Sequence, residues 1–175
     1  GTTVNYSSPI QIGSLTNWKK ISTVSNNCMA IKTDGTLWAW GENNYGQLGN
    51  NNRINYSSPI QVGSLTTWKD VSCGFGVTII AIKTDGTLWA WGLGNYGALG
   101  NNVPSVNYSS PIQIGSLTNW KQIYGSSYGG VAVKTDGTLW GWGFNDYGTI
   151  HVSRASYSSP IQIGSLNTWK YISAG

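Results

Sequence analysis

The feature that most constrains this chain is that it repeats itself. The segment Tyr-Ser-Ser-Pro-Ile-Gln occurs four times, with its proline at Pro9, Pro59, Pro111 and Pro160, in steps of 50, 52 and 49 residues. A lone tryptophan follows each copy in the same steps, at Trp18, Trp68, Trp120 and Trp169. A second segment, Lys-Thr-Asp-Gly-Thr-Leu-Trp, starts at Lys32, Lys83 and Lys134. A fixed period near fifty residues marks an array of similar supersecondary units, none of which can bury its apolar faces alone. Length variation falls in the Asn-rich stretch before each proline, which reads as a loop.

Each repeat reads as four short strands, in the first copy residues 9–12, 18–21, 28–32 and 36–40. Proline opens the first strand, where its missing N–H is tolerated. Asp34-Gly35 joins the last two, and this pair predicts a type I′ hairpin turn. In the fourth strand Trp38 and Trp40 point to one face and Leu37 and Ala39 to the other. Both faces are apolar, so both need cover. Four strands per fifty residues predict an all-β fold, with β-propeller blades of four antiparallel strands. A β-helix has shorter repeats and no tight hairpin in each turn. If the proline-to-tryptophan stretch and the Asp-Gly hairpin are the two halves of a blade, four of the first stand against three of the second. Residues 1–175 are thus expected to be a partial β-propeller: three repeats of about 50 residues plus an extra half repeat, with no second domain. They would make about three blades of a longer ring, the further blades coming from the same parent chain.

Taken together, the two segments resemble the regulator of chromosome condensation repeat family. The matching residues are Asp34-Gly35-Thr36-Leu37-Trp38-Ala39-Trp40-Gly41, Asn43, and Tyr45-Gly46-Gln47-Leu48-Gly49. The second repeat matches from Asp85 to Gly92, then at Asn95 and Gly97-Ala98-Leu99-Gly100; the third keeps Asp136-Gly137, Trp142-Gly143, Asn145 and Gly148. The resemblance implies a propeller, seven-bladed in typical members. The founding member is a nucleotide exchange factor for a small GTPase on chromatin, but no region here matches one that would carry that activity. The family's Cys-Gly pair survives only as Cys73-Gly74, its usual histidine is replaced by Asn27 and Gly129, and the third repeat reads Thr149-Ile150-His151 in place of Gln-Leu-Gly.

Composition narrows the functions open to such an array. Charged residues make up only 9% of the chain and the net charge is +4, with no basic run. The electrostatic footprint of a nucleic-acid binder is missing, so no nucleic-acid partner is expected. No apolar stretch is long enough for a membrane span, so no membrane insertion is expected. Low charge with many Asn, Ser, Thr and Gly points to an exported, cell-surface or virion structural setting.

No titratable constellation points to catalysis, cofactor or metal. Cys28 and Cys73 occupy different places in their repeats, so no disulfide or zinc framework recurs and buried thiols are expected. His151 is the single histidine and reads as a surface residue. Asp34, Asp85 and Asp136 read as hairpin-turn residues. Lys32, Lys83 and Lys134 read as solvated strand-end lysines. Asn5, Asn55 and Asn107 open Asn-Tyr-Ser glycosylation patterns. The indoles of the fourth strands read as core between blades. Binding is therefore expected at loop residues that combine hydrogen-bonding groups with an aromatic ring: Asn43, Asn44, Tyr45, Asn95, Tyr96, Asn145, Asp146 and Tyr147. The expected role is a non-enzymatic scaffold or recognition module without cofactor, with a protein or glycan partner. The alternative is an intracellular regulatory propeller acting on a small GTPase or chromatin.

Overall fold

A computed structural model describes residues 7–75, 77–148 and 150–173. These residues form three four-stranded antiparallel sheets, one per repeat. Blade 1 contains β1 (Trp18–Val24), β2 (Asn27–Lys32), β3 (Leu37–Gly41) and β4 (Tyr56–Gln61). Blade 2 contains β5 (Trp68–Cys73), β6 (Thr78–Lys83), β7 (Leu88–Gly92) and β8 (Tyr108–Gln113). Blade 3 contains β9 (Trp120–Ser126), β10 (Gly129–Lys134), β11 (Leu139–Gly143) and β12 (Tyr157–Gln162). The second strands β2 and β6 are buried along their whole length, as strands covered on both faces must be.

The phase of the repeat differs from the sequence expectation. The Tyr-Ser-Ser-Pro-Ile-Gln strand closes the preceding blade instead of opening its own. After β3 the chain rounds the Asn-rich loop and returns antiparallel to β3, pairing Trp38 with Gln61, Ala39 with Ile60 and Gly41 with Tyr56. In the first copy, residues 9–12 form no strand. Pro59 lies inside an edge strand rather than at a strand's start, the other place where a sheet tolerates proline. Every blade is thus stitched to the next by one continuous stretch, which runs from the last strand of one sheet to the first strand of the following sheet.

The core lies between the sheets. Met29, Leu37 and Leu48 of blade 1 meet Trp68, Val71, Ile79 and Trp91 of blade 2. Ile80, Leu88 and Leu99 of blade 2 meet Trp120, Ala132 and Trp142 of blade 3. Strand β5 packs on β1 and β2, and β9 packs on β5 and β6, so the first strands line up at the inner side of the stack.

Three contacts recur at both interfaces. The indole Nε1 of Trp91 donates to the Gln47 carbonyl at 3.0 Å, and that of Trp142 donates to the Ala98 carbonyl at 3.0 Å. Each indole sits over a glycine, Gly49 or Gly100, where an added Cβ would lie 2.7 or 2.9 Å from the ring. Ser22 Oγ accepts from the Cys73 amide at 3.0 Å, and Ser72 Oγ accepts from the Gly125 amide at 2.9 Å. The Asp-Gly hairpin of one blade binds the start of the next: the Trp68 amide donates to the Gly35 carbonyl, and the Trp120 amide to the Gly86 carbonyl.

The stack presents two rims. One carries the Asp-Gly hairpins. The other carries the turns between first and second strands together with the Asn-rich loops; Asn26 in such a turn donates to the Glu42 carboxylate in such a loop at 3.1 Å.

Candidate protein-recognition rim

On the hairpin rim, each turn is a three-residue loop. The Gly35 amide donates to the Lys32 carbonyl and the Lys32 amide to the Thr36 carbonyl, both at 3.0 Å. Only Gly35 has positive φ, at 80°, so the turn is a bulged type rather than the expected type I′, which needs two such residues. Asp34 Oδ1 accepts from the Thr36 amide at 2.9 Å and from Thr36 Oγ1 at 2.6 Å. Thr36 Oγ1 in turn accepts from Trp38 Nε1 at 2.9 Å. The same relay runs through Asp85, Thr87 and Trp89, and through Asp136, Thr138 and Trp140. These hydrogen bonds hold all three carboxyls below the ordinary aspartate value, the threonine hydroxyl first and its amide second. A depressed folded-state pKa adds stability above the unfolded value, and that stability is lost as pH falls through the folded value. Thermal melts of the triple variant Asp34→Asn, Asp85→Asn, Asp136→Asn are therefore expected to show a flatter decline than the wild type below about pH 4.

The lysines correct the sequence reading. Lys32, Lys83 and Lys134 are buried. Their ammonium groups lie 3.6, 3.4 and 3.5 Å from the ring centroids of Trp38, Trp89 and Trp140. Trp18, Trp68 and Trp120 flank them at 5.2, 5.0 and 4.9 Å. The indole faces attract the cation, so each lysine braces its own blade. Burial pushes Lys83 and Lys134 below the ordinary lysine value, against the pull of Asp85 and Asp136. They are not a solvated ring open to an anionic partner. Cys28 and Cys73 are free, Cys28 buried and Cys73 partly so, and burial pushes both thiols up to about 12. Such thiols stay protonated and unreactive at neutral pH. Among the described residues no cluster of His, Cys, Asp or Glu has the makings of a metal site, and no helix is long and apolar enough to cross a membrane.

The loop rim carries the predicted binding residues, and the structure divides them. Asn43 is fully buried: its Oδ1 accepts from the Leu48 amide at 2.9 Å, and its Nδ2 reaches Asn50, the Asn52 carbonyl and the Ile54 carbonyl. Asn145 is buried likewise, accepting from the Ile150 amide at 2.7 Å and donating to the His151 carbonyl at 2.8 Å. These two amides hold their loops in shape, with no group left to present. Asn55 and Asn107 also spend their Oδ1 on loop amides, those of Asn43 and Gly94; Asn5 lies outside the described residues. Asn44, Tyr45, Asn95, Tyr96, Asp146 and Tyr147 are exposed. His151 is exposed too, its Nδ1 3.2 Å from Ser153 Oγ.

Two of the exposed residues belong to an aromatic cluster that bridges blades 2 and 3. Tyr96, from the loop of blade 2, lies 5.1 Å from Phe144 and 5.6 Å from Tyr128, measured between ring centroids. Phe144 lies 6.2 Å from both Tyr128 and Tyr147. Tyr147 is 86% exposed, Tyr96 51% and Tyr128 39%. Tyr96 sits in a single 3-10 turn at φ 59°, ψ 24°, a left-handed conformation that costs a bulky residue about 1–3 kcal/mol. Sequence reasoning missed Tyr128 and Phe144. Their signal was a departure from the repeat: Phe144 stands where the other blades have Glu42 and Leu93.

Comparison with known proteins agrees with this architecture. The family model described as the regulator of chromosome condensation (RCC1) repeat matches residues 34–81 and 85–133, and a second model of the same repeat matches 18–47 and 68–98. The ultraviolet-B receptor UVR8 of Arabidopsis thaliana is 31% identical over 138 residues, which are 77% of this chain and 31% of that receptor. The E3 ubiquitin-protein ligase HERC2 of Mus musculus is 31% identical over 75% of this chain but only 3% of its own length. The Protein RCC2 homolog of Danio rerio is 29% identical over 81% of this chain and 30% of its own. The chain thus spans less than a third of the curated relatives it matches. Among solved structures, Prp20p from Saccharomyces cerevisiae superposes with a TM-score of 0.75 at 20% identity, covering 87% of this chain and 39% of that one. Human WBSCR16 superposes with a TM-score of 0.73 at 18% identity, covering 84% and 38%. With two family repeats matched over more than half its length and the blades built to the same plan, this chain belongs to the regulator of chromosome condensation repeat family.

Proposed function

We propose that this chain is a non-enzymatic protein-recognition module that binds its partner on the loop rim. The observation that carries this reading is the cluster of exposed Tyr96, Tyr128 and Tyr147 around partly buried Phe144. Clustered Tyr and Phe side chains on a rigid scaffold supply large apolar contact area at low entropic cost, and such residues dominate binding hot spots. The strained Tyr96 supports the reading, since strain persists where the surroundings hold it for a purpose. The scaffold beneath is fixed by the buried indoles of Trp91 and Trp142.

The relatives support a regulatory setting and give no support to the exported, cell-surface or virion setting expected from composition. They include a receptor and a ubiquitin ligase, and one solved relative is described by its binding to Gsp1p and histones. Another structure is of yeast RCC1 (Prp20) bound by Kap60. We therefore favour a regulatory propeller that works through protein partners. The aromatic character of the patch favours an apolar anchor site over a charge-driven one.

A photo-crosslinking residue placed at position 147 is expected to yield discrete protein adducts in an extract of the source cells. Tyr96→Ala in the same chain should remove most of them, and a crosslinker at position 166, at exposed Leu166, should give none of the same adducts. Adducts that arise equally from 147 and 166, or that persist in full in Tyr96→Ala, would contradict the reading.

A further inference from the structure

The first strand of every blade carries a β-bulge at the same point. Trp18 pairs with Lys32 and Lys20 with Ile31, so Lys19 is the extra residue. Lys69 is the extra residue between Trp68 and Asp70, and Lys121 between Trp120 and Gln122. A bulge bends its strand and re-aims the side chain it adds. Here the added side chain is a lysine each time, and it is exposed, at the hairpin-rim end of the inner strand. Lys170 holds the same register, since the Trp169 amide donates to the Gly137 carbonyl as the Trp68 and Trp120 amides do to Gly35 and Gly86. Blade 2 is packed on both sides and its Lys69 is still exposed, so the exposure belongs to the position in the repeat and not to an end of the stack.

The fold also sorts the charges. Asp34, Asp85 and Asp136 each lie within the field of the buried lysine two residues before them. Asp70 is matched by Lys20, whose ammonium lies 3.0 Å from its Oδ1 across the interface between blades 1 and 2. On the loop rim, Arg53 and Arg154 balance Glu42 and Asp146. What remains is Lys19, Lys69, Lys121 and Lys170, and these account for the whole net charge of +4. Among the described residues their ammonium groups have no hydrogen bond, ion pair or ring contact. The inner strands that carry them pack side by side, and the reach of Lys20 to Asp70 shows that one side chain spans from blade to blade.

We propose that this row of bulge lysines is a second docking surface, on the rim opposite the aromatic cluster, and that it takes an acidic peptide segment laid across the blades. One cation per blade holds a single small anion weakly, whereas a chain of carboxylates engages several lysines at once and gains by their linkage. The row suits a peptide better than a nucleic acid. The rings beside it, Trp68 and Trp120, are buried, so no face is offered for base stacking, and the hairpin carboxylates interrupt the row where a uniform line of phosphates would meet them.

Fluorescence anisotropy at low ionic strength tests this with a labelled peptide of alternating glutamate and serine. The wild type is expected to bind it and to ignore the same peptide with glutamine in place of glutamate. Lys69→Gln with Lys121→Gln should weaken binding about fivefold or more, while Lys69→Arg with Lys121→Arg should retain it. Arg53→Gln with Arg154→Gln removes the same charge from the other rim and should change the affinity by less than about twofold. A wild type that does not bind the peptide overturns the proposal, and so does equal weakening by the two glutamine pairs, which would reduce the effect to net charge. An oligothymidine of the same length that binds more tightly than the peptide, and loses its affinity with the lysine pair, overturns it in favour of a nucleic-acid surface.

Discussion

Trp91→Ala is expected to lower the stability of the chain by about 4 kcal/mol, within the range for truncating a fully buried indole. Trp91 is wholly buried. Its ring lies 6.0 Å from that of Trp68, and its Nε1 donates to the Gln47 carbonyl of the neighbouring blade. Truncation opens a cavity between two sheets and leaves that carbonyl without its donor, so the packing loss and the hydrogen-bond loss add. Trp40→Ala removes the same side chain from the same register and is expected to cost only about 1 kcal/mol, because Trp40 is only partly buried among the described residues. Urea denaturation of the two variants checks the contrast. Equal losses would mean that the indole stabilises its own blade and not the stack.

Gly86→Ala is the second large effect, at about 3 kcal/mol or more. Gly86 has φ +78°, and an added Cβ would lie 2.0 Å from the Thr118 carbonyl oxygen, which is backbone and cannot swing aside. Strain and overlap can be separated at Gly63. It has φ +64° with nothing within 4 Å, so Gly63→Ala carries the strain alone and is expected to cost about 1 kcal/mol. The difference between the two is the cost of the close approach. It measures how tightly the Asp-Gly hairpin of blade 2 is pressed against the stretch that leads into blade 3. Urea midpoints of the two variants give it directly, and similar midpoints would contradict the close approach.

The repeat period, the four-stranded unit and the Asp-Gly hairpin were all legible in the residues, because each depends on local pattern. The phase of the blade was not. Whether Tyr56–Gln61 pairs with the strand before it or the strand after it is decided by the return of the Asn-rich loop along β3, a contact between distant segments. The lysines were misread for a related reason. Lys32 looks like a strand-end charge in sequence, and only the fold brings Trp18 and Trp38 around it. Asn43 and Asn145 were read as presenting groups, whereas their loops close over them and consume every amide atom. The aromatic cluster was half visible. Tyr96 and Tyr147 follow from the repeat pattern, while Tyr128 and Phe144 sit where the third repeat breaks it, and a pattern reading discounts such breaks.

Blades 2 and 3 each seat an indole on a glycine of the blade before them, Trp91 on Gly49 and Trp142 on Gly100. Hydrogen exchange at the indole N–H groups, followed by NMR, tests this most directly. Strong protection is expected for Trp91 and Trp142, whose Nε1 protons are buried on the carbonyls of Gln47 and Ala98. Fast exchange is expected for Trp40, which is only partly buried and lines an apolar groove. Trp91 and Trp142 exchanging as fast as Trp40 would contradict the stack.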